Sequence, residues 1–478
     1  MLSRIKVFLV LLLALILPQN LIRCRDNKKN FKINIDFDGY SFKKIFDDAI
    51  KFPSAIEYLV DTNNLPDVNF QGKLVQYAGL LPVFGSENPN DKLFFWYFES
   101  KNIRSNDLGQ DGASSVASLL AEHGPFSGFD RQAKKLTNNP NSWHQDAHIV
   151  YVDQPLGVGF SNLAGHSKVE DETQVGETIF NFLVNFFRVF PHLRNKDIYL
   201  AGESYAGFYI PYAAASIIKN GELDKRNKFR LKGISISSAT IDQYFRQVVA
   251  AVIPYAEEQK LINSTNQELL QGLLDRCMPT IGNTKSSEAT GIDYTYGFGK
   301  CDVAYAALGI IYKSNPNPPP PFLLVNSEFD YNAFLQNPKL LEQIHLPANS
   351  SPWELCTNKV LKPDNSLVAV NIIPSLTEHI KVVIWSGDKD ASVTHIGTEF
   401  VIGNMSWGGE TGFKNNELQP IFDEQDNIIG KIHTERNLTY VLVHDAGHLV
   451  NIDQPKTSRF ILQKVVLDDP LKLEKLEK

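Results

Sequence analysis

Cysteine is scarce: Cys24, Cys277, Cys301 and Cys356 are the only four in 478 residues. That excludes a disulfide-stapled scaffold, in which bridges replace a small core. A basic excess is missing as well. Lys and Arg number 47 against 54 Asp and Glu, giving a net charge of -7 and a pI near 5.9. The basic face that a nucleic-acid partner requires is therefore not expected, and nothing in the charge points to a membrane surface. There is no internal repeat. Beyond the first residues no apolar run approaches the roughly 20 residues that span a bilayer. What is present is a hydrophobic content of 43%, enough to build a large globular core.

The chain opens with Arg4 and Lys6, then an apolar run from Val7 to Leu17 closed by Pro18, Gln19 and Asn20. The run is too short to span, so residues 1–22 read as a secretory signal peptide, with an uncleaved anchor as the other reading. The expected destination is the secretory pathway, extracellular or a vacuole or lysosome, with no membrane span after signal removal. Sequons at Asn263, Asn349, Asn404 and Asn437 fit that route as glycosylation sites. An oxidising compartment permits a bridge, and spacing favours Cys277 with Cys301; two buried free thiols are the alternative.

Phe94-Phe95-Trp96-Tyr97-Phe98 and His148-Ile149-Val150-Tyr151-Val152 read as buried strands, the second ending in the turn Asp153-Gln154-Pro155. Ile179, Phe180, Leu183, Phe186 and Phe187 recur at helical spacing. A strand at Ile198–Leu200 then enters Gly202-Glu203-Ser204-Tyr205-Ala206-Gly207, and a helix pattern follows from Tyr212 to Ile218. Further strands are expected at Val382–Trp385 and Leu438–Val443. Strand alternating with helix predicts an α/β fold, a mostly parallel central sheet with helices on both faces. Between 245 and 370 that rhythm is broken by helical stretches and by a proline-rich segment, Asn315–Pro321, read as a stiff connector. The predicted organisation is a core over 28–244, a helical insertion or cap over 245–370, and the rest of the core over 371–468.

A serine becomes a nucleophile when a base removes its proton and a third group fixes the tautomer of that base. In the α/β-hydrolase arrangement the serine occupies a sharp strand-to-helix turn flanked by small residues, and the acid and histidine follow it in that order. Gly202-Glu203-Ser204-Tyr205-Ala206-Gly207 has that design, with Ala206 where glycine is usual. Asp390, in Gly387-Asp388-Lys389-Asp390, and His448, in Asp445-Ala446-Gly447-His448, each follow a predicted strand. All three fall past carboxyl strand ends, where such sheets place their ligands. Taken singly, Asp390 reads equally as a turn carboxylate and His448 as a solvated loop residue. The triad calls for no cofactor and no metal.

Four blocks, in order, carry a resemblance: Asp153-Gln154-Pro155-Leu156-Gly157-Val158-Gly159-Phe160-Ser161, Gly202–Gly207, Gly387–Asp390 and Ala446-Gly447-His448-Leu449-Val450. The sequence resembles the serine carboxypeptidase family of α/β-hydrolases over nearly the whole chain past the signal. Phe208-Tyr209-Ile210-Pro211 and Trp407-Gly408-Gly409 are similar to its fungal pheromone-processing members. The resemblance implies removal of C-terminal residues from peptides or proteins through an acyl-enzyme, at acidic pH. Ser204 would be nucleophile, His448 general acid/base and Asp390 its orienter. The amides of Tyr205 and Gln110 would form the oxyanion hole, and Glu203, Glu122 and Gly109 would hold the substrate carboxylate. Carboxylates crowded together cannot all ionise, so one would keep a proton to donate.

The chain departs from that family where it would have Asn-Gly-Gly-Pro-Gly-Cys-Ser-Ser. Here stands Leu108-Gly109-Gln110-Asp111-Gly112-Ala113-Ser114-Ser115. Leu108 removes an amide, and Gln110 replaces a glycine whose N–H should face the oxyanion. Ala113 removes a cysteine that would pair with Cys356. Ser237-Ser238-Ala239 replaces Gly-Asn-Gly, and Asn451 replaces a proline. Two rivals follow: a carboxypeptidase-like secreted binding protein of weakened catalysis, and an acyltransferase or esterase using the same triad.

Overall fold

A computed structural model describes residues 54–83, 90–101, 107–111, 115–162, 169, 171–248, 251–281, 329–354, 368–415 and 417–467. The signal segment, the proline-rich segment, Cys24, Cys301 and Cys356 lie outside them, and with them the Cys277–Cys301 pairing.

Ten strands form the main sheet: β1 (Gln76–Pro82), β2 (Lys92–Phe98), β3 (Asp107–Asp111), β4 (His148–Asp153), β5 (Asp197–Glu203), β6 (Arg230–Ser237), β7 (Lys381–Gly387), β8 (Gln419–Phe422), β9 (Ile428–Glu435) and β10 (Leu438–Val443). Their order is β8-β9-β10-β7-β6-β5-β3-β4-β2-β1. The centre, β10-β7-β6-β5-β3-β4, is parallel throughout. Antiparallel pairs finish both edges.

Among the described residues the helices include α1 (Glu172–Val189), α2 (Ala206–Leu223), α3 (Val252–Glu258), α4 (Ser264–Ile281), α5 (Tyr331–Leu335), α6 (Pro338–Gln343), α7 (His395–Asn404), α8 (Val450–Asp453) and α9 (Pro455–Ile461). Between β6 and β7, neighbours in the sheet, the described residues hold helical elements only. None of the described helices is long and apolar enough to cross a membrane.

Alternation along the strands assigns the layers. Phe95 and Tyr97 point to one face and meet Phe186 and Phe190 on and after α1. Phe94, Trp96 and Phe98 point to the other, where Phe126 and Phe160 pack. In β5, Gly202 lies against Ala206 and Ile210 of α2. On the opposite side, Tyr199 and Ala201 meet Leu462 and Val466, just past α9, around a cavity of about 10 Å³. Both faces are thus covered by helix, as expected of an α/β-hydrolase sheet.

The turn after β4 is built around a buried carboxylate. Asp153 accepts hydrogen bonds from Ser115 Oγ at 2.7 Å and from the Phe160 amide at 2.9 Å. Gly159 has φ 57°, and a Cβ there would come within 2.2 Å of Asp153 Oδ2. Only glycine allows the loop to wrap the carboxylate. Burial raises the Asp153 carboxyl from the usual range to about 6, against the bonds from Phe160 and Ser115. Between the ordinary carboxylate value and about 6, the folded chain keeps a proton that the unfolded chain has released. This contribution to stability is therefore full below the unfolded value and is lost as pH rises through about 6. Thermal unfolding of the wild type and Asp153→Asn at pH 5 and 7 should show a steeper loss of Tm toward neutral pH in the wild type; equal slopes would exclude the assignment.

Candidate active site

The carboxyl ends of β5 and β6 lie level, and β7 and β10 end level with each other two residues farther along the same edge. Glu203 pairs with Ser237, Ser237 with Trp385, and Gly387 with Val443. Ser204 follows β5 directly, in the left-handed region at φ 59°. A side chain is rarely tolerated there, and this strain is the mark of the nucleophile turn. Backbone bonds hold it. The Ser204 amide donates to Ser237 O at 3.0 Å, and its carbonyl accepts from Gly207 at 3.0 Å and Thr240 at 3.2 Å. The small neighbours are required, because a Cβ on Gly202 would approach Ala206 Cβ to 2.5 Å and one on Gly207 would lie 2.2 Å from Thr240 O. Ser238, the substituted position after β6, is itself left-handed at φ 45°, a conformation that Gly or Asn would adopt more readily.

Asp390 is fully buried and follows β7. Its Oδ1 accepts from the amides of Ser392 at 2.8 Å and Val393 at 3.1 Å, and its Oδ2 meets His448 Nδ1 at 2.9 Å. When Nδ1 donates to this carboxylate, the proton of a neutral imidazole is on Nδ1 and Nε2 is the acceptor nitrogen.

His448 has the longest tether, five residues past β10. The spacing of strands puts β10 about 14 Å from β5, within the roughly 17 Å that five residues can span. The loop is carried back over the Asp390 turn. Lys389 N donates to Ala446 O at 2.8 Å, and Asp445 N to Asp388 Oδ1 at 2.8 Å. Gly387 permits this approach, since a Cβ there would meet Ala446 O at 2.2 Å. Gly447 N donates to Asp453 Oδ2 at 2.7 Å. From the other side, Tyr255 Oη and Gln259 Nε2, on and after α3, bond the carbonyls of Lys389 and Asp388.

The residues expected in the oxyanion loop lie partly in a strand. Asp107–Asp111 is β3, a central strand bonded on both edges, with Gln110 level with Val150 and Leu200. Its amide is committed to the ladder four residues short of Ser204. Gly109, paired with Ile149 and Tyr199, is likewise in the sheet. Residues 112–114 lie outside the described set.

Glu203 is half-buried and its Oε2 accepts from Ser237 Oγ at 3.3 Å. Glu122 ends a wide turn, Ser118–Glu122, and is only 8% exposed. Its oxygens accept from Ser118 Oγ at 2.9 Å and Asn451 Nδ2 at 2.7 Å. Both oxygens are thus engaged inside the protein, so a substrate carboxylate would have to displace one of these bonds. Sequence reasoning saw Asn451 only as a lost proline and did not see Asp453, Tyr255 or Gln259. No motif or spacing marks them. The sequon asparagines, Asn263, Asn349, Asn404 and Asn437, are all exposed.

Residues 66–468 match the family model of serine carboxypeptidases. The chain belongs to the serine carboxypeptidase family. The carboxypeptidase is 31% identical to the pheromone-processing carboxypeptidase of Paracoccidioides brasiliensis, over 87% of this chain and 69% of that protein. It is 30% identical to that of Kluyveromyces lactis, over 87% and 73%. Its structure is similar to the crystal structure of a prohormone-processing carboxypeptidase from Saccharomyces cerevisiae, with a TM-score of 0.75, 26% identity, and coverage of 88% of this chain and 98% of that one. It is thus a serine-type carboxypeptidase, a hydrolase.

Gly207→Ala should destabilise this carboxypeptidase by about 1–3 kcal/mol through overlap with Thr240, whereas Ala206→Gly should stay within about 1 kcal/mol; denaturant unfolding compares them. Asp390→Asn should preserve circular dichroism yet reduce kcat by roughly 10⁴-fold, because an amide donor imposes the wrong imidazole tautomer.

Proposed function

We propose that the protein releases C-terminal residues from peptides through an acyl-enzyme on Ser204. The observation that carries this is the bonded, buried Asp390–His448 pair at the same sheet edge as the strained Ser204. His448 Nε2 takes the Ser204 proton as Oγ attacks the last peptide carbonyl, then gives it to the leaving amine. Asp390 keeps the tautomer and stabilises the imidazolium. The Tyr205 amide, at the start of the 18-residue α2, supplies one oxyanion donor, where the helix end favours negative charge. Gln110, held in β3, is not the second. Glu203, adjoining the nucleophile and half-buried, is the group placed to meet the terminal carboxylate; it can bind one only while a proton is kept between the two.

Operation at acidic pH is supported by the Asp153 carboxyl, which favours the folded chain there. The segment from 245 to 370 serves as a cap, with α3 bracing the Asp390 turn. The amino-terminal signal pattern and the exposed sequon asparagines support a life in the secretory pathway.

An organophosphonate should label Ser204, and a blocked dipeptide with a free C-terminus should turn over faster than its amide, more so near pH 5 than pH 7. Absence of label favours a binding protein. Turnover indifferent to the free carboxylate favours an esterase or acyltransferase.

A further inference from the structure

A chain of buried hydrogen bonds runs from the sheet face to the turn that carries His448. Trp143 Nε1 donates to Ser458 Oγ at 3.2 Å, Ser458 Oγ bonds Asn451 Oδ1, and Asn451 Nδ2 donates to Glu122 Oε2 at 2.7 Å. Ser118 Oγ closes the far side on Glu122 Oε1. Every member is buried. The direction is fixed by chemistry: an indole N–H can only donate, so Ser458 accepts there and gives its single proton to Asn451 Oδ1. The amide orientation follows, with Nδ2 toward the carboxylate. The indole is itself held, stacked on His123 with ring centroids 4.0 Å apart and on Trp385 of β7 at 6.4 Å. Asn451 lies three residues past His448, in α8, the same short helix whose Asp453 takes the Gly447 amide.

We propose that Asn451 is a positioning residue for His448, acting through Glu122 as its anchor. Asn451 and Asp453 fix α8 from two sides, and the imidazole is aimed by where α8 sits. The inference rests on the reading of Ser204 as nucleophile, and its test separates the two.

The rate of Ser204 phosphonylation by an organophosphonate is measured against pH, alongside kcat and KM on the blocked dipeptide and its C-terminal ester. Misplacing a catalytic group by about 1 Å can cost on the order of 10²-fold. Asn451→Ala and Glu122→Ala should therefore slow labelling and kcat by about 10- to 100-fold on both substrates, with KM little changed. Glu122→Gln, which still offers an oxygen to Asn451, should recover most of the loss seen in Glu122→Ala. Asn451→Asp, which has the same shape, sets two carboxylates together. Its deficit should shrink toward acid pH, where one keeps a proton, a shift that a merely structural role would not produce. Asn451→Ala and Asn451→Asp labelling at the wild-type rate across pH would overturn the inference while leaving the nucleophile intact. Glu122→Gln falling as far as Glu122→Ala would also overturn it, pointing to the charge of Glu122 rather than its anchoring. A wild type that takes no label sinks the nucleophile reading, and this inference with it.

Discussion

The register of four parallel strands sets where everything else can be. With Glu203, Ser237 and Trp385 level across β5, β6 and β7, and Gly387 level with Val443 across β7 and β10, the chain leaves all four strands at one edge. Strand register is a two-state matter, because a slip of one residue turns every side chain to the opposite face. Here glycine enforces it. Gly202 must face α2, where there is no room for a Cβ beside Ala206, and Gly387 must lie under Ala446 O. Sliding either strand would put a side chain into those contacts. The same positions that close the core therefore determine which residues emerge at the edge.

Two local states at that edge are unfavourable alone. Ser204 is left-handed without being glycine, and Asp390 is a fully buried carboxylate. Backbone strain of this kind costs of order 1–3 kcal/mol and persists only where surroundings over-determine it. A buried charge needs its lone pairs met. The remedy is the same in both cases, backbone groups of the neighbouring turn. Ser237, Gly207 and Thr240 fix Ser204; Ser392 and Val393 satisfy Asp390 before the imidazole is counted. Ser204 and Asp390 are thus positioned by main chain, which a side-chain substitution elsewhere disturbs little.

What could be read from sequence followed the same division. β2, β4 and β10 are dense in aromatic and β-branched residues bounded by turns, and Ser204, Asp390 and His448 stood out in the sequence because each follows a strand-like run. β3 was not. Asp-Leu-Gly-Gln-Asp has no β-branched or aromatic residue, and it becomes a strand because β4 and β5 offer it hydrogen bonds on both edges, a tertiary effect that outweighs propensity. The family motif reads it as a loop carrying Gln110, whereas in the structure Gln110 is paired within the strand. The bond between Glu122 and Asn451 joins residues 329 apart, and neither belongs to a spacing that chemistry prescribes.

His448 differs from its partners in how it is held. It sits farthest from its strand, on a loop that must cross back over β7, and a loop of that length has more ways to be wrong than a residue adjoining a strand. The near half of the loop is secured by main-chain bonds from Asp388 N to Val443 O and from Lys389 N to Ala446 O, with Asp388 Oδ1 on the Asp445 amide. The far half has side chains instead: Asp390 on the imidazole, Asp453 on Gly447, and Asn451 on Glu122. The far half therefore depends on side chains that a single substitution can remove, unlike the backbone groups that hold Ser204 and Asp390.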